Sequence, residues 1–277
     1  MTYQPTEFTV KTLLGVQRSL EAQLPISPIN DAQTTLNTKY GVNANTGFTA
    51  NGKPLLQYVG VGIRGFHNID DGILSEPNVV LATNMDLYTP LPIRVVPIEQ
   101  DLSSIERANY RMRVVQTVGG DQYACYYLKK ITPASPTVNF TVTDEDGVES
   151  EYVIDYDNMS PEPPDPEIQG VVAASANAIN VSSATQILIT GAEVHEAINV
   201  LYDGNMQYAK LSEIGVYMGE DQTVVAQDYL GDNFNYTEAI FCQLAFHRTW
   251  NGTDMSAPDS SYALNYRFSS ESLVLPS

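Results

Sequence analysis

The stretch richest in chemical possibility runs from Tyr58 to Asn68, YVGVGIRGFHN, where Gly60-Val-Gly62-Ile-Arg-Gly65 matches G-x-G-x-x-G. In a dinucleotide site those glycines close a strand and open a helix, whose N-terminal N–H groups then hold a pyrophosphate. The next residues, FHNIDDGILSEPN, include Asn68, Asp70, Asp71, Gly72 and Pro77 and read as turns rather than a helix. No βαβ unit follows, so the motif lacks the context that gives it its mechanism. The competing reading is geometric. The glycines mark a bulged or bent strand, with at least one of them at positive φ or pressed against neighbouring backbone.

Other reactive side chains form no set with catalytic spacing. His67 lies in the turn-rich segment, His195 between Glu193, Val194 and Glu196, and His247 in a strand-like run. H-E-x-x-H is absent, and Glu196, adjacent to His195 in sequence, points away from it on a helix. There is no G-x-S-x-G elbow and no phosphate-binding G-x-x-x-x-G-K-[ST] loop. Asp144-Glu145-Asp146 sits on a hairpin turn, where acids are common for conformational reasons. Cys125, in YACYYL, and Cys242, in IFCQLAF, occupy apolar or aromatic settings and read as buried reduced thiols. The sequence therefore points to no catalytic residue, no cofactor-binding residue and no metal ligand, and a non-enzymatic role is expected.

Charge is distributed unevenly over the 277 residues. Residues 1–130 hold 11 acidic and 11 basic side chains, whereas residues 131–277 hold 22 acidic and 3 basic, which places the whole net charge of −19 in the second half. An acidic surface of that kind repels phosphate backbones, so no specific nucleic-acid binding is expected. No apolar run approaches the ~20 residues of a membrane-spanning helix, and the first residues lack the pattern of a secretory signal. No membrane partner is expected.

The elements that must position these residues are mostly strands. Helical spacing over 9–24 is weakened by Gly15. Ser103-x-x-Glu106 is a capping box and predicts a helix over 102–113, with Arg107 and Arg111 stacked four apart. Thr190-x-x-Glu193, followed by Val194, Ala197, Ile198 and Leu201, predicts a second over 191–203, stopped by Gly204. The runs TVNFTVT and ESEYVIDY flank DEDG as a β-hairpin. Further strands are expected at 56–66, 206–218, 223–229, 239–249 and 261–268. The fold class is mainly β with a few helices (α+β), built from antiparallel, sandwich-like sheets. Residues 157–170, DNMSPEPPDPEIQG, read as a stiff acidic linker. It divides a charge-balanced region, 1–156, from an acidic helix-plus-sheet region, 171–277.

Three segments resemble known proteins. NMDLYTPLPIRVVPIEQDLSSIERANYRMRVV (84–115), with YYLKKI (126–131), resembles poorly characterised virion structural proteins of tailed bacteriophages. AKLSEIGVYMGED (209–221) is similar to the Ser-Glu-Ile-Gly segment of attachment domains in some phage tail proteins. The resemblance implies a component of the head–tail connector, neck, tail or baseplate, located in the virion and made in the host cytoplasm. Its partners would be copies of itself in a ring and other virion proteins. Arg107, Arg111 and Arg113, with Glu213, are the candidate interface residues, because arginine is enriched at interfaces. The alternative is a carbohydrate- or receptor-binding module, for which Trp250, Tyr262 and Tyr266 would supply an aromatic platform.

Overall fold

The computed structural model describes residues 7–23, 35–43, 54–69, 74–132, 137–143, 149–154 and 176–273. The chain divides into two compact units, and the division is discontinuous in sequence. The first comprises 1–131 and 188–262, the second 132–187 and 263–277. The expected boundary at 157–170 is therefore replaced by crossings near 131, 187 and 262, and the Pro-rich segment itself lies outside the described residues. The physical reason is pairing: residues 210–227 and 233–254, late in the chain, hydrogen-bond to residues 55–62 and 7–11, early in it.

The first unit is built on an eight-stranded antiparallel sheet. Its strands are β1 (Glu7–Lys11), β2 (Leu55–Gly62), β5 (Pro90–Leu91), β6 (Arg94–Pro97), β7 (Tyr110–Val118), β8 (Asp121–Lys130), β12 (Lys210–Gln227) and β13 (Asn233–Asp254). The order is β1-β13-β12-β2-β8-β6, with β5 on β2 and β7 on β8. A separate hairpin joins β3 (Phe66–Ile69) to β4 (Leu74–Pro77). In the second unit, β9 (Thr137–Thr143) and β10 (Glu149–Ile154) pair antiparallel, and β9 also pairs with β11 (Ala176–Thr190). β14 (Ser261–Leu273) follows β11 to complete a sheet of order β10-β9-β11-β14.

Among the described residues four α-helices accompany the sheets: α1 (Leu13–Gln23), α2 (Leu36–Tyr40), α3 (Ser104–Arg107) and α4 (Gly191–Leu201). α4 forms as its residues dictate. The Thr190 hydroxyl accepts from Glu193 N–H while the Glu193 carboxylate reaches back to Thr190 N–H, and Val194, Ala197 and Ile198 are buried. Gly204, at φ 71°, lets its N–H return to the Ile198 carbonyl. α3 departs from expectation. Its capping box is present, but the helix ends at Arg107, and 110–118 runs as β7 against β8. The long pairing of a β-branched and aromatic segment outweighs the local helical signal. Cys125 and Cys242 are free and buried, as expected.

Candidate functional site

The two segments that attracted attention in sequence lie side by side. β2 and β12 pair in register, Gly62 opposite Glu213, Val61 opposite Ile214 and Gly60 opposite Gly215. None of Gly60, Gly62 and Gly65 has positive φ. Their need for glycine is space. A Cβ on Gly62 would fall 2.5 Å from Glu213 Oε1 and 2.6 Å from the Thr89 carbonyl oxygen, and one on Gly65 would collide with the Ser212 carbonyl. The fingerprint is thus close backbone packing, and β3, not a helix, follows it.

Glu213 is the reason for that packing. Its side chain is fully buried. Tyr88 N–H donates to Oε2 at 2.7 Å, Thr89 N–H to Oε1 at 2.8 Å and Arg64 N–H to Oε1 at 3.3 Å. Asn84 Nδ2–H donates to His247 Nδ1 at 3.1 Å, which leaves His247 Nε2–H to donate to Glu213 Oε2 at 3.2 Å. A carboxylate can remain buried only when its lone pairs are occupied in this way. The same loop is held again by Asp86, which accepts from Tyr217 Oη at 2.7 Å and pairs with Lys39. Residues 84–89 are therefore fastened to the sheet by side chains from β12 and β13.

The two stretches carrying the sequence resemblance, 84–115 and 209–221, meet at Glu213 and again at Asp221. Residues 1–270 match a family described as a family of unknown function, DUF7208. The chain belongs to this family. No curated protein and no solved structure matches it.

In this DUF7208 member the candidate arginines are used inside the fold. Arg111 is 3% exposed and holds Asp221 with two bonds, Nε to Oδ1 at 2.8 Å and Nη2 to Oδ2 at 2.9 Å. Lys130 and the Tyr58 hydroxyl join the same carboxylate. Burial alone would raise the Asp221 carboxyl, but the hydrogen bonds from Arg111 and Lys130 prevail and bring it down to about 2. Arg113, 6% exposed, donates through Nε to Asp101 Oδ2 at 2.9 Å. Arg107 lies over the Phe234 ring, 4.5 Å from its centroid, and donates through Nε to Tyr126 Oη at 3.2 Å. The expected ionic contact with a neighbouring molecule is thereby corrected for Arg111, Arg113 and Glu213, whose charged groups are already buried and paired within the chain.

A second buried carboxylate, Glu238, gave no signal in sequence. It accepts from the N–H groups of Met112, Arg113 and Ala239 and from the Tyr236 hydroxyl. Burial raises its carboxyl above the ordinary range despite those bonds. Met112 sits at φ 56°, so Glu238 holds a left-handed residue within β7, whose register on β8 continues unshifted on either side of it.

Two residues of the aromatic platform meet. Trp250 and Tyr262 stack with ring centroids 5.4 Å apart and planes 13° apart, and Trp250 Nε1–H donates to Thr253 Oγ1 at 3.1 Å. The Tyr266 side chain lies outside the described residues. Each ring of the stacked pair has one face covered by the other. Among the described residues no group of three or more His, Cys, Asp and Glu side chains could hold a metal ion, and no helix is long and apolar enough to cross a membrane.

The feature that sequence reasoning missed is α1. Thr12, just before it, and Gly15 and Arg18 within it face inward. Thr12 and Gly15 pack on the Ala245 backbone of β13, and Arg18 Nε donates to Gln243 Oε1 at 2.9 Å. Leu13, Val16 and Leu20, on the opposite stripe, are 59%, 52% and 57% exposed. The helix is inverted, with small and polar residues inside and large aliphatic residues outside. Leu13 N–H donates to the Ala82 carbonyl, next to the exposed Leu81 and near the exposed Val79 and Met85.

Proposed function

We propose that the chain is a non-enzymatic structural protein of a tailed-phage virion. It forms or decorates a symmetric ring at the neck, tail or baseplate and acts through protein–protein contacts. The observation that carries this reading is the inverted helix α1. Three large aliphatic side chains on one stripe are left in water, although burying each would contribute about 1.5–3 kcal/mol. A monomeric protein rarely keeps such a surface uncovered. The resemblance of 84–115 and 209–221 to phage virion proteins supports the setting. The use of buried Glu213, Glu238 and Arg111, with half-buried Asp221, as internal braces supports a part whose output is shape.

In this reading α1 packs against a second copy of the chain, because repetition around a ring turns one modest contact into a closed assembly. Light scattering of purified protein, alone and with isolated virion proteins, tests it. Oligomers or complexes are expected, and Val16→Asp with Leu20→Asp should dissolve them without lowering the melting temperature. A protein that stays monomeric in every mixture and is absent from purified particles would end the proposal.

The alternative, a carbohydrate- or receptor-binding module of a phage tail, draws on the half-buried Trp250–Tyr262 stack, an aromatic pair of the kind that packs on a sugar ring. Glycan binding abolished by Trp250→Ala would favour it.

A further inference from the structure

A cavity of about 410 Å³ opens beside the glycine strand, lined by Ile63, Arg64, Phe66, His67, Asn68, Gln207, Tyr208 and Lys210. That volume lies in the range of small-molecule sites. Among the described residues its lining holds two basic side chains and a histidine but no carboxylate, in a chain of net charge −19. Lys210 is one of only three basic residues after position 130. Seven other described lysines and arginines are in ion pairs, whereas Arg64 and Lys210 form none among the described residues, although Asp254 lies opposite Lys210 across the β12–β13 pair and feels its charge.

Both cations are positioned by the surrounding fold. Arg64 has its backbone N–H on Glu213 and its carbonyl on Asn78 Nδ2, while its guanidinium carries no described ion pair. The Lys210 stem passes over Gly252, at φ 93°, where a Cβ would fall 2.5 Å from Lys210 Cε. Its ammonium then rests 4.1 Å from the Phe66 ring centroid. His67 is oriented from behind the cavity by Asn78 at 2.9 Å and by Glu76 at 3.7 Å. Tyr208 stacks on Tyr202 at 4.7 Å and remains 39% exposed.

We propose that this cavity binds an acidic saccharide, with Arg64 and Lys210 pairing its anionic group, Asn68 and Gln207 meeting ring hydroxyls, and Tyr208 lying under the apolar face of the sugar. A nucleotide fits less well. A phosphate cradle needs free backbone N–H groups. Here Arg64 N–H is engaged by Glu213 and Gly65 N–H by Ser212 Oγ at 2.8 Å. The Phe66 ring, covered by Lys210, offers no stacking face on that side for a base. Recognition therefore falls to side chains, which suits a carboxylate or sulfate on a hydroxylated ring. The site is separate from the Trp250–Tyr262 stack and does not depend on ring assembly.

The test is calorimetric titration of the full chain with four probes: a uronic-acid trisaccharide, a sulfated disaccharide, a neutral trisaccharide and sodium sulfate. Binding of either acidic sugar, with the neutral sugar silent, is the expected result, and the arm that binds identifies the acid. Arg64→Gln with Lys210→Gln should weaken that binding at least tenfold. An unchanged melting temperature would show that the fold is intact, and Asn68→Ala with Gln207→Ala should weaken binding without removing charge. Binding of sodium sulfate as tight as that of the sugars would reduce the cavity to an adventitious anion site and overturn the proposal. So would the absence of binding by both acidic sugars, or binding indifferent to these substitutions.

Discussion

Glu213 on β12 and Glu238 on β13 solve the same problem in different ways. Each is fully buried, and each uses its carboxylate to hold three backbone N–H groups. At Glu213 the neighbouring strand makes room by having no side chain, with Gly62 and Gly65 pressed against Glu213 and Ser212. At Glu238 the strand whose N–H groups it holds, β7, keeps a large residue and distorts, with Met112 buried at φ 56°. One brace is accommodated by removing atoms, the other by bending the chain. The first leaves a mark in sequence and the second leaves almost none.

The largest effects should come from deleting the braces. Glu213→Ala and Glu238→Ala each leave three backbone N–H groups without an acceptor, part-buried ones at Glu213 and buried ones at Glu238, which costs about 4 kcal/mol in each case. Urea unfolding of the two variants would measure it. If the two sites are equivalent braces, the losses should match within about 1 kcal/mol. A much smaller loss at one would show that water replaces that carboxylate.

Next comes the glycine side of the comparison. Gly65→Ala places a methyl on the Ser212 carbonyl, and Gly65, just past the end of β2, cannot withdraw without losing the bond from its N–H to Ser212 Oγ. A loss of about 3 kcal/mol is expected, at the upper end of overpacking penalties. Gly119→Ala is the control. Gly119 sits at φ 63° with nothing within 4 Å of a Cβ, so only conformational strain applies, about 1 kcal/mol. Equal midpoints for the two variants would mean that crowding is not what the glycine strand requires.

This contrast explains what could be read in advance. Glycines constrained by space and helices fixed by a capping box are written in single residue types, so the close packing at Gly62 and Gly65 and the helix α4 were legible. α3 was legible only as far as its cap. What ends it is pairing of 110–118 with β8, a contact no local window contains. The roles of Arg111 and Arg113 were misjudged for the same reason, since Asp221, the partner of Arg111, lies 110 residues away. The exposed stripe of α1 was invisible because its aliphatic spacing looks like that of an ordinary core-facing helix. Only Gly15, which seemed a defect, is the residue that allows the helix to sit on β13 with its other face outward.

The smallest effect separates the two braces from the ion-pair cluster beside them. Asp221 has its carboxyl lowered to about 2, against an ordinary value of 3.8. A carboxyl lowered in the folded state binds fewer protons there than in the unfolded chain. Its contribution is therefore complete above about pH 4 and is lost as pH falls through about 2. Because the side chain is 23% exposed, screening reduces the contribution to about 1 kcal/mol. Glu238, raised by burial, acts in the opposite sense: the folded state holds its proton more tightly, so that group favours folding more as pH falls. Asp221→Asn should consequently flatten the decline in stability between pH 4 and 2, measured by urea midpoints at each pH. If the decline is unchanged, acid sensitivity resides elsewhere in the carboxylate-rich chain and the Arg111–Asp221–Lys130 cluster acts through geometry alone.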